Sequence, residues 1–165
     1  MRACQRRRRA HRLSIVLLSV VLVGCAPKAL PREAAVHRVI DGDTIELAGG
    51  LLVRYIGIDT PELRRRVGGR WVEAPEPFAR EAMEANRALV EGKRVQLEYD
   101  VRTHDRYGRL LAYVYVDGQM VNEALLQDGQ AQLLTIPPDV RYTERFRRAA
   151  AQARAARRGM WADGP

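Results

Sequence analysis

The 165-residue sequence predicts an α+β domain of five strands and three helices behind a leader that is not part of the fold. Three observations predict it. Five short apolar runs are punctuated by Asp-Gly, Gly-Gly and similar turn signals. Three longer stretches repeat apolar residues at helical spacing, and each is followed by a glycine. The third apolar run, Leu51 to Ile58, is apolar on both faces, as in a closed barrel partly covered by helices.

The chain begins with a segment that reads as a signal peptide, residues 1–24. Arg6 to Arg9 and Arg12 make a basic start, and Leu13 to Val23 is an apolar run too short to span a bilayer comfortably. The ending Leu22-Val23-Gly24-Cys25 is similar to a bacterial lipoprotein cleavage site. That similarity implies cleavage before Cys25, a lipid on its sulfur, and an exported protein anchored to a membrane at the cell envelope. Ala26 after the cysteine, rather than Asp, points to the outer membrane if the cell has one. An uncleaved anchor helix and ordinary signal cleavage nearby are the alternatives.

The leader changes the meaning of the charge. The whole chain carries 28 Lys+Arg against 20 Asp+Glu. Six of those arginines and none of the acids lie in residues 1–24, which leaves 22 against 20. Overall basicity is therefore poor support for nucleic-acid binding, and any such case has to be local. The two cysteines, Cys4 and Cys25, both fall outside the expected domain, so packing alone must hold it. About 130 residues suffice for one core.

Residues 25–33 form a short linker with two prolines, reaching at most about 28 Å. The domain is expected over residues 34–162. Val36 to Ile40 is the first strand. Asp41-Gly42 makes a tight turn, since glycine tolerates positive φ. Thr44 to Leu47 is the second strand and Gly49-Gly50 a hairpin turn. Leu51 to Ile58, Lys93 to Tyr99 and Leu110 to Val116 supply the other three. The first helix runs from about Pro77 to Val90, with Phe78, Ala82, Met83, Leu89 and Val90 as its apolar stripe and Gly92 as its stop. The second spans Val121 to Asp128. The third runs from about Val140 to Arg158, its stripe formed by Tyr142, Phe146, Ala149, Ala153 and Ala156; its arginines mostly lie off the stripe and read as a solvated face. Gly159 ends it, and Trp161 is expected to fold back on the core.

The chemistry lies in four polar clusters beside the strands: Asp41-Gly42-Asp43-Thr44, then Arg54, then Asp59-Thr60-Pro61-Glu62, then Asp105-Arg106-Tyr107-Gly108-Arg109. Neighbouring carboxylates suggest a hard cation with oxygen ligands. Guanidinium groups beside a cation suggest a phosphate, gripped bidentately. Together they equip a protein for phosphoryl transfer or phosphodiester hydrolysis. Arg54 sits in an apolar strand and needs a charged partner there. Pro61 stiffens the elbow before Glu62. Asp41 reads as a turn cap, and Arg109 alone reads better as a surface strand-end arginine. His37 and His104 have no companion at metal spacing.

In these residues the chain resembles the thermonucleases of the staphylococcal (micrococcal) nuclease family, from about Val36 to Trp161. The stretch from Asp105-Arg106-Tyr107-Gly108-Arg109 through Tyr113-Val114-Tyr115-Val116-Asp117-Gly118 to Asn122-Glu123-Ala124-Leu125 carries much of the likeness. The resemblance implies an OB-fold, a five-stranded barrel. It implies Ca²⁺ held by Asp43, Asp59 and the backbone carbonyl of Thr60, with water in the remaining positions. It assigns Glu62 to orienting or deprotonating the attacking water. Arg54 and Arg109 go to the scissile phosphate, and Arg106 and Tyr107 to a terminal phosphate. DNA and RNA are the implied substrates, 3′-phosphates the products, and a monomer the expected state.

Two departures stand out. Residues Leu133 to Pro138 contain no aromatic where the family's best-known member places two tyrosines near the base. The loop Leu63 to Pro75 carries Arg64, Arg65, Arg66, Arg70 and Trp71, which read equally as a grip on nucleic acid and as a mobile charged loop. The competing reading of the whole chain is a non-catalytic nucleic-acid-binding module on the same fold, anchored at the cell envelope. The presence of Asp43, Arg54, Asp59, Glu62 and Arg109 together argues against it.

Overall fold

The computed structural model describes residues 29–162. The expected leader and Cys25 lie outside those residues. The barrel is built from β1 (Glu33–Asp41), β2 (Thr44–Leu47), β3 (Leu52–Tyr55), β7 (Arg94–Glu98) and β8 (Leu110–Val116). They run in the order β3-β2-β1-β7-β8, and a parallel pairing of β3 with β8 closes the ring at Val53↔Leu110, Arg54↔Leu111 and Tyr55↔Ala112. Closure is possible because β1 is bent. Its first residues pair with β7, its later residues with β2, and the β1–β2 ladder shifts register twice, between Val36 and Arg38 and between Val39 and Asp41. The five-stranded barrel and three helices are those the sequence led us to expect.

The remaining strands are short. β4 (Ile58–Asp59) pairs with β10 (Gln132–Leu133), β5 (Arg64–Val67) with β6 (Arg70–Glu73), and β9 (Gln119–Met120) extends β8. The helices are α1 (Ala79–Val90), α2 (Val121–Gln127) and α3 (Thr143–Ala155), with a 3-10 turn at Gly159–Trp161. Ile45, Val53, Ile58, Val95, Leu110, Ala112 and Val114 fill the barrel. Val90 of α1, Leu125 and Leu126 of α2 and Phe146 of α3 close its openings. Tyr113 meets Tyr142 edge-on, with ring centroids 4.6 Å apart.

Several expectations are corrected. The third strand is not continuous to Ile58: it ends at Tyr55, the chain turns through Ile56-Gly57, and Ile58–Asp59 leaves the barrel wall to pair with Gln132–Leu133. The first helix starts at Ala79, because Phe78 takes φ 67°. The third starts at Thr143 after a turn in which the Thr143 N–H donates to Val140 O at 3.1 Å, and Ala156 lies past its end and is exposed. The charged loop after Glu62 is a β-hairpin. Contacts to the barrel begin inside the expected linker: Leu97 N–H donates to Arg32 O at 2.8 Å, and the Tyr99 hydroxyl to Pro31 O at 2.6 Å. Trp161 is partly buried under Arg154, whose guanidinium lies 4.3 Å from its ring centroid.

Candidate active site

The two-residue turn between β1 and β2 sets the site. Gly42 does not occupy the left-handed region, contrary to the expectation from Asp-Gly. Its role is closeness: a Cβ there would sit 2.6 Å from Thr60 Oγ1 and 2.7 Å from Thr60 Cβ. The absent side chain lets the Asp59-Thr60 segment lie on the turn. Asp43 is thereby fully buried. One carboxylate oxygen accepts the Thr60 N–H at 3.0 Å; the other accepts the Thr44 hydroxyl at 3.1 Å and contacts Arg54. Asp41 does cap the turn, accepting the Asp43 N–H at 3.2 Å.

Arg54 stands opposite Thr44 on the neighbouring strand, so its side chain enters the same pocket. One Nη group contacts Asp43; the other donates to Asp59 Oδ1 at 2.5 Å and to Ile58 O at 3.3 Å. A single guanidinium thus spans the two carboxylates. The requirement for a charged partner inside an apolar strand is met twice over. Asp59 is half-exposed and is held by the β4–β10 ladder, opposite Gln132.

Glu62 lies just beyond the elbow. Its N–H donates to Glu76 Oε2 at 3.0 Å, and the Glu76 N–H returns to Glu62 O at 2.9 Å. Burial pushes the Glu62 carboxyl above the usual glutamate value, and Asp41, Asp59 and Glu76 push the same way against Arg54. Burial also raises Asp41, against the opposing pull of Arg54, a hydrogen bond with Thr44, and Arg109. Asp41 and Asp59 thus act on Glu62 beside Arg54, and Arg109 is near enough to act on Asp41.

Arg109 begins the approach to β8. Asp105 holds it, accepting the Arg109 N–H at 3.0 Å and Nε at 2.7 Å, and also the Tyr107 N–H at 2.9 Å. Burial would raise the Asp105 carboxyl, but these bonds from Arg109 and Tyr107 outweigh it and hold it low. The tether uses Nε, so the two Nη groups of Arg109 have no hydrogen-bond partner among the described residues. Arg106 and Tyr107 stand exposed at the rim. Arg106 donates to the Tyr107 hydroxyl at 2.7 Å, and the guanidinium groups of Arg106 and Arg109 lie 4.8 and 5.6 Å from the Tyr107 ring centroid.

No group of three or more His, Cys, Asp or Glu side chains among the described residues is gathered as a metal centre. The donors present fit a hard cation. Asp43 and Asp59 meet on one guanidinium, and Thr60 brings its backbone against Asp43. The donors are all oxygen, and the acids outnumber the arginines that face them. A divalent ion with few protein ligands suits that set.

One residue behind the site escaped the sequence reading. Asn86 of α1 is buried, donates from Nδ2 to Asp41 O at 3.0 Å, and accepts the Tyr55 hydroxyl at 2.9 Å. It props the turn from the core side. Its signal was an amide four residues from both Ala82 and Val90, within the buried stripe. Beside Arg54 lies a cleft of about 60 Å³ walled by Leu111, Leu134, Ile136 and Arg102. Residues 133–138 bring only Leu134 and Ile136 to its lining and no aromatic, and it is far smaller than the roughly 300 Å³ at which ligand pockets begin.

Residues 52–163 match the family described as "Staphylococcal nuclease homologue". The chain is 36% identical over 134 residues to the "SPbeta prophage-derived endonuclease YokF" of Bacillus subtilis (strain 168), covering 78% of this chain and 44% of that protein. It is 38% identical over 134 residues to the "Endonuclease YncB" of the same organism, covering 78% and 61%. It is 36% identical over 132 residues to the "Thermonuclease" of Staphylococcus hyicus, covering 78% and 75%. The chain therefore spans about half the length of the two Bacillus subtilis relatives. The family match takes in Arg54, Asp59, Thr60, Glu62, Arg106, Tyr107 and Arg109; Asp43 lies ahead of it.

Proposed function

Because the chain belongs to the staphylococcal nuclease homologue family, we propose that it is a calcium-dependent endonuclease that hydrolyses phosphodiester bonds of DNA and RNA and leaves 3′-phosphates. The observation that carries this reading is the Arg54 fork spanning Asp43 and Asp59, with Glu62 and Arg109 acting on the same pocket. Asp43, Asp59 and the Thr60 carbonyl are the residues for Ca²⁺. When bound, the ion supplies positive charge opposite the phosphoryl oxygens.

Glu62 is the base. It takes a proton from the water that attacks phosphorus, and its raised affinity for protons suits that task near neutral pH. Arg54 and Arg109 bind the non-bridging oxygens and neutralise the charge that grows there. The bond from phosphorus to the 5′-oxygen breaks, and that oxygen leaves as a hydroxyl after taking a proton from solvent. Arg109 cannot supply that proton, since guanidinium stays protonated. Arg106 and Tyr107, at the rim, bind an adjacent phosphate. Export and a lipid on Cys25 complete the proposal; a Cys25→Ala variant is expected to leave the membrane fraction.

The deciding experiment is digestion of plasmid DNA and of RNA by the protein lacking residues 1–24, with Ca²⁺ and with chelator. Cutting that stops in chelator and returns with Ca²⁺ is expected, and Glu62→Gln should lose most of the rate. Undiminished cutting in chelator would reject the metal's role. A gel shift with no product under any condition would favour the binding-module reading.

A further inference from the structure

The basic hairpin β5–β6 has no role in the site described above, and it is an unusual surface. Its turn, Gly68-Gly69, has φ of 56° and 82°, positive at both central residues as a tight two-residue hairpin turn requires. The ladder pairs Arg64↔Glu73, Arg65↔Val72, Arg66↔Trp71 and Val67↔Arg70. It continues below the strands, where the Ala74 N–H donates to Leu63 O at 3.1 Å and the Glu76 N–H to Glu62 O at 2.9 Å. The arm is thus one hydrogen-bonded ribbon rooted at Glu62, reaching about 17 Å from it. Glu73 ties its base to α1 through Arg80 at 2.8 Å.

All eight strand residues are exposed. Trp71 is 69% exposed. Among the described residues it has no aromatic or cation partner, whereas the equally exposed Tyr107 is flanked by Arg106 and Arg109. Arg64, Arg65, Arg66 and Arg70 have no ion-pair partner among the described residues. Elsewhere on the surface Arg38, Arg87, Arg94, Arg141, Arg145 and Arg147 each hold a carboxylate. Opposite residues on a ladder share a face, so Trp71 shares one with Arg66. An open aromatic plane beside unpaired guanidinium groups matches a strand with unpaired bases and regular phosphates.

We propose that this hairpin is a single-strand-binding arm: Trp71 stacks on an unpaired base of the substrate, and Arg64 and Arg66, on the same face of the ribbon, bind the phosphates leading to Glu62. The inference rests on the nuclease reading and deepens it. The arm replaces the stacking that residues Leu133 to Pro138, which hold no aromatic, cannot give. Both hairpin edges are free, but four like charges oppose pairing with a second copy. A lipid surface would also attract Arg and Trp. The continuous ladder from the arm to Glu62 favours nucleic acid, since a bound strand then leads to the scissile position.

The test compares cleavage of a 20-nucleotide single strand with cleavage of a dinucleotide, each over a salt series, for wild type, Trp71→Ala, the double Arg64→Gln, Arg66→Gln variant and, as the opposite-face control, the double Arg65→Gln, Arg70→Gln variant. Trp71→Ala should lower kcat/KM on the long strand by about 5- to 150-fold, the range for one lost stack, chiefly through KM. The loss on the dinucleotide should be at least threefold smaller. The Arg64, Arg66 variant should flatten the log–log salt dependence of binding by up to about 0.7 per arginine, and the Arg65, Arg70 variant by less. In chelator, and in a Trp161→Phe background, the same strand should quench Trp71 fluorescence. Equal losses on both lengths, or no quenching, would overturn the arm, as would variants that release the protein from anionic vesicles while still cutting the long strand at the wild-type rate. If wild type cuts neither substrate, the nuclease reading fails instead.

Discussion

Gly42→Ala tests how the site is assembled. A Cβ at this position meets Thr60 Oγ1, Cβ and Cγ2 at 2.6, 2.7 and 2.8 Å, well inside contact distance. The backbone of Gly42 lies outside the left-handed region, so alanine adds no conformational strain and its effect is purely steric. Overpacking of this kind costs about 1–3 kcal/mol. For a domain of this size that lowers Tm by roughly 4–12 °C. Relief comes from moving Thr60, whose N–H anchors Asp43 and whose neighbour Asp59 meets Arg54. A displacement of about 1 Å in such a group can cost a factor of 10² in rate. The melting temperature and the nuclease turnover should both fall. Thr60→Gly removes all three offending atoms and keeps the backbone carbonyl. The double variant should therefore recover about 1–3 kcal/mol relative to the sum of the single changes. A Gly42→Ala protein with unchanged melting and turnover, or strictly additive double-variant energies, would refute the close-approach explanation.

Asn122 is buried, accepts the Val114 N–H and donates to Ile56 O, both at 2.9 Å. Asn122→Ala leaves both backbone groups unpaired and should cost on the order of 3 kcal/mol in urea denaturation. Arg109→Lys keeps the charge but loses the fork that meets Asp105 on one side and, in the proposed mechanism, phosphate on the other. Turnover should fall by about 10²-fold with melting little changed, and full activity with lysine would undo the clamp. Burial acts to raise the Glu98 carboxyl, but hydrogen bonds from Tyr115, Arg141 and Tyr142 outweigh it, so it is held below its ordinary 4.5, as Asp105 is held below 3.8. A depressed carboxyl stabilises the fold above its unfolded value and loses that contribution as pH falls through its folded value. The urea midpoint should thus drop between about pH 5 and pH 3, and Glu98→Gln should flatten that drop.

What was legible in the sequence was what contiguous residues encode. The strands Thr44–Leu47 and Leu110–Val116 are short apolar runs with turn signals at their ends, and their bounds came out as expected. The polar clusters were legible because three of them couple charges to strand ends and Arg54 sets one inside an apolar strand. Gly42 was misread because its constraint is contact with Thr60, eighteen positions along, which no local rule encodes. Asn86 was passed over because an amide in an apolar stripe gains meaning only from Tyr55 and the Asp41 carbonyl that it joins. The hairpin at Arg64–Glu73 had a Gly-Gly turn signal, yet its strands lack apolar–polar alternation. With both faces in water, nothing selects that alternation.

The two arginines of the site share one device. Arg54 is oriented by Asp43 and Asp59, and Arg109 by Asp105, so each guanidinium is positioned by carboxylates before any substrate arrives. Holding a long side chain in one geometry removes rotamer freedom that would otherwise be lost on binding. The carboxylates that do this are themselves fixed by the fold. Asp43 is buried under Thr60 and Thr44, the turn that carries it is propped from α1 by Asn86, and Asp105 is locked into its own turn by two backbone N–H groups. Donors fixed in this way act on developing charge without having to reorganise. Surplus acid around Arg54 then follows from the same design, since carboxylates that orient a guanidinium can also offer oxygen to a divalent ion.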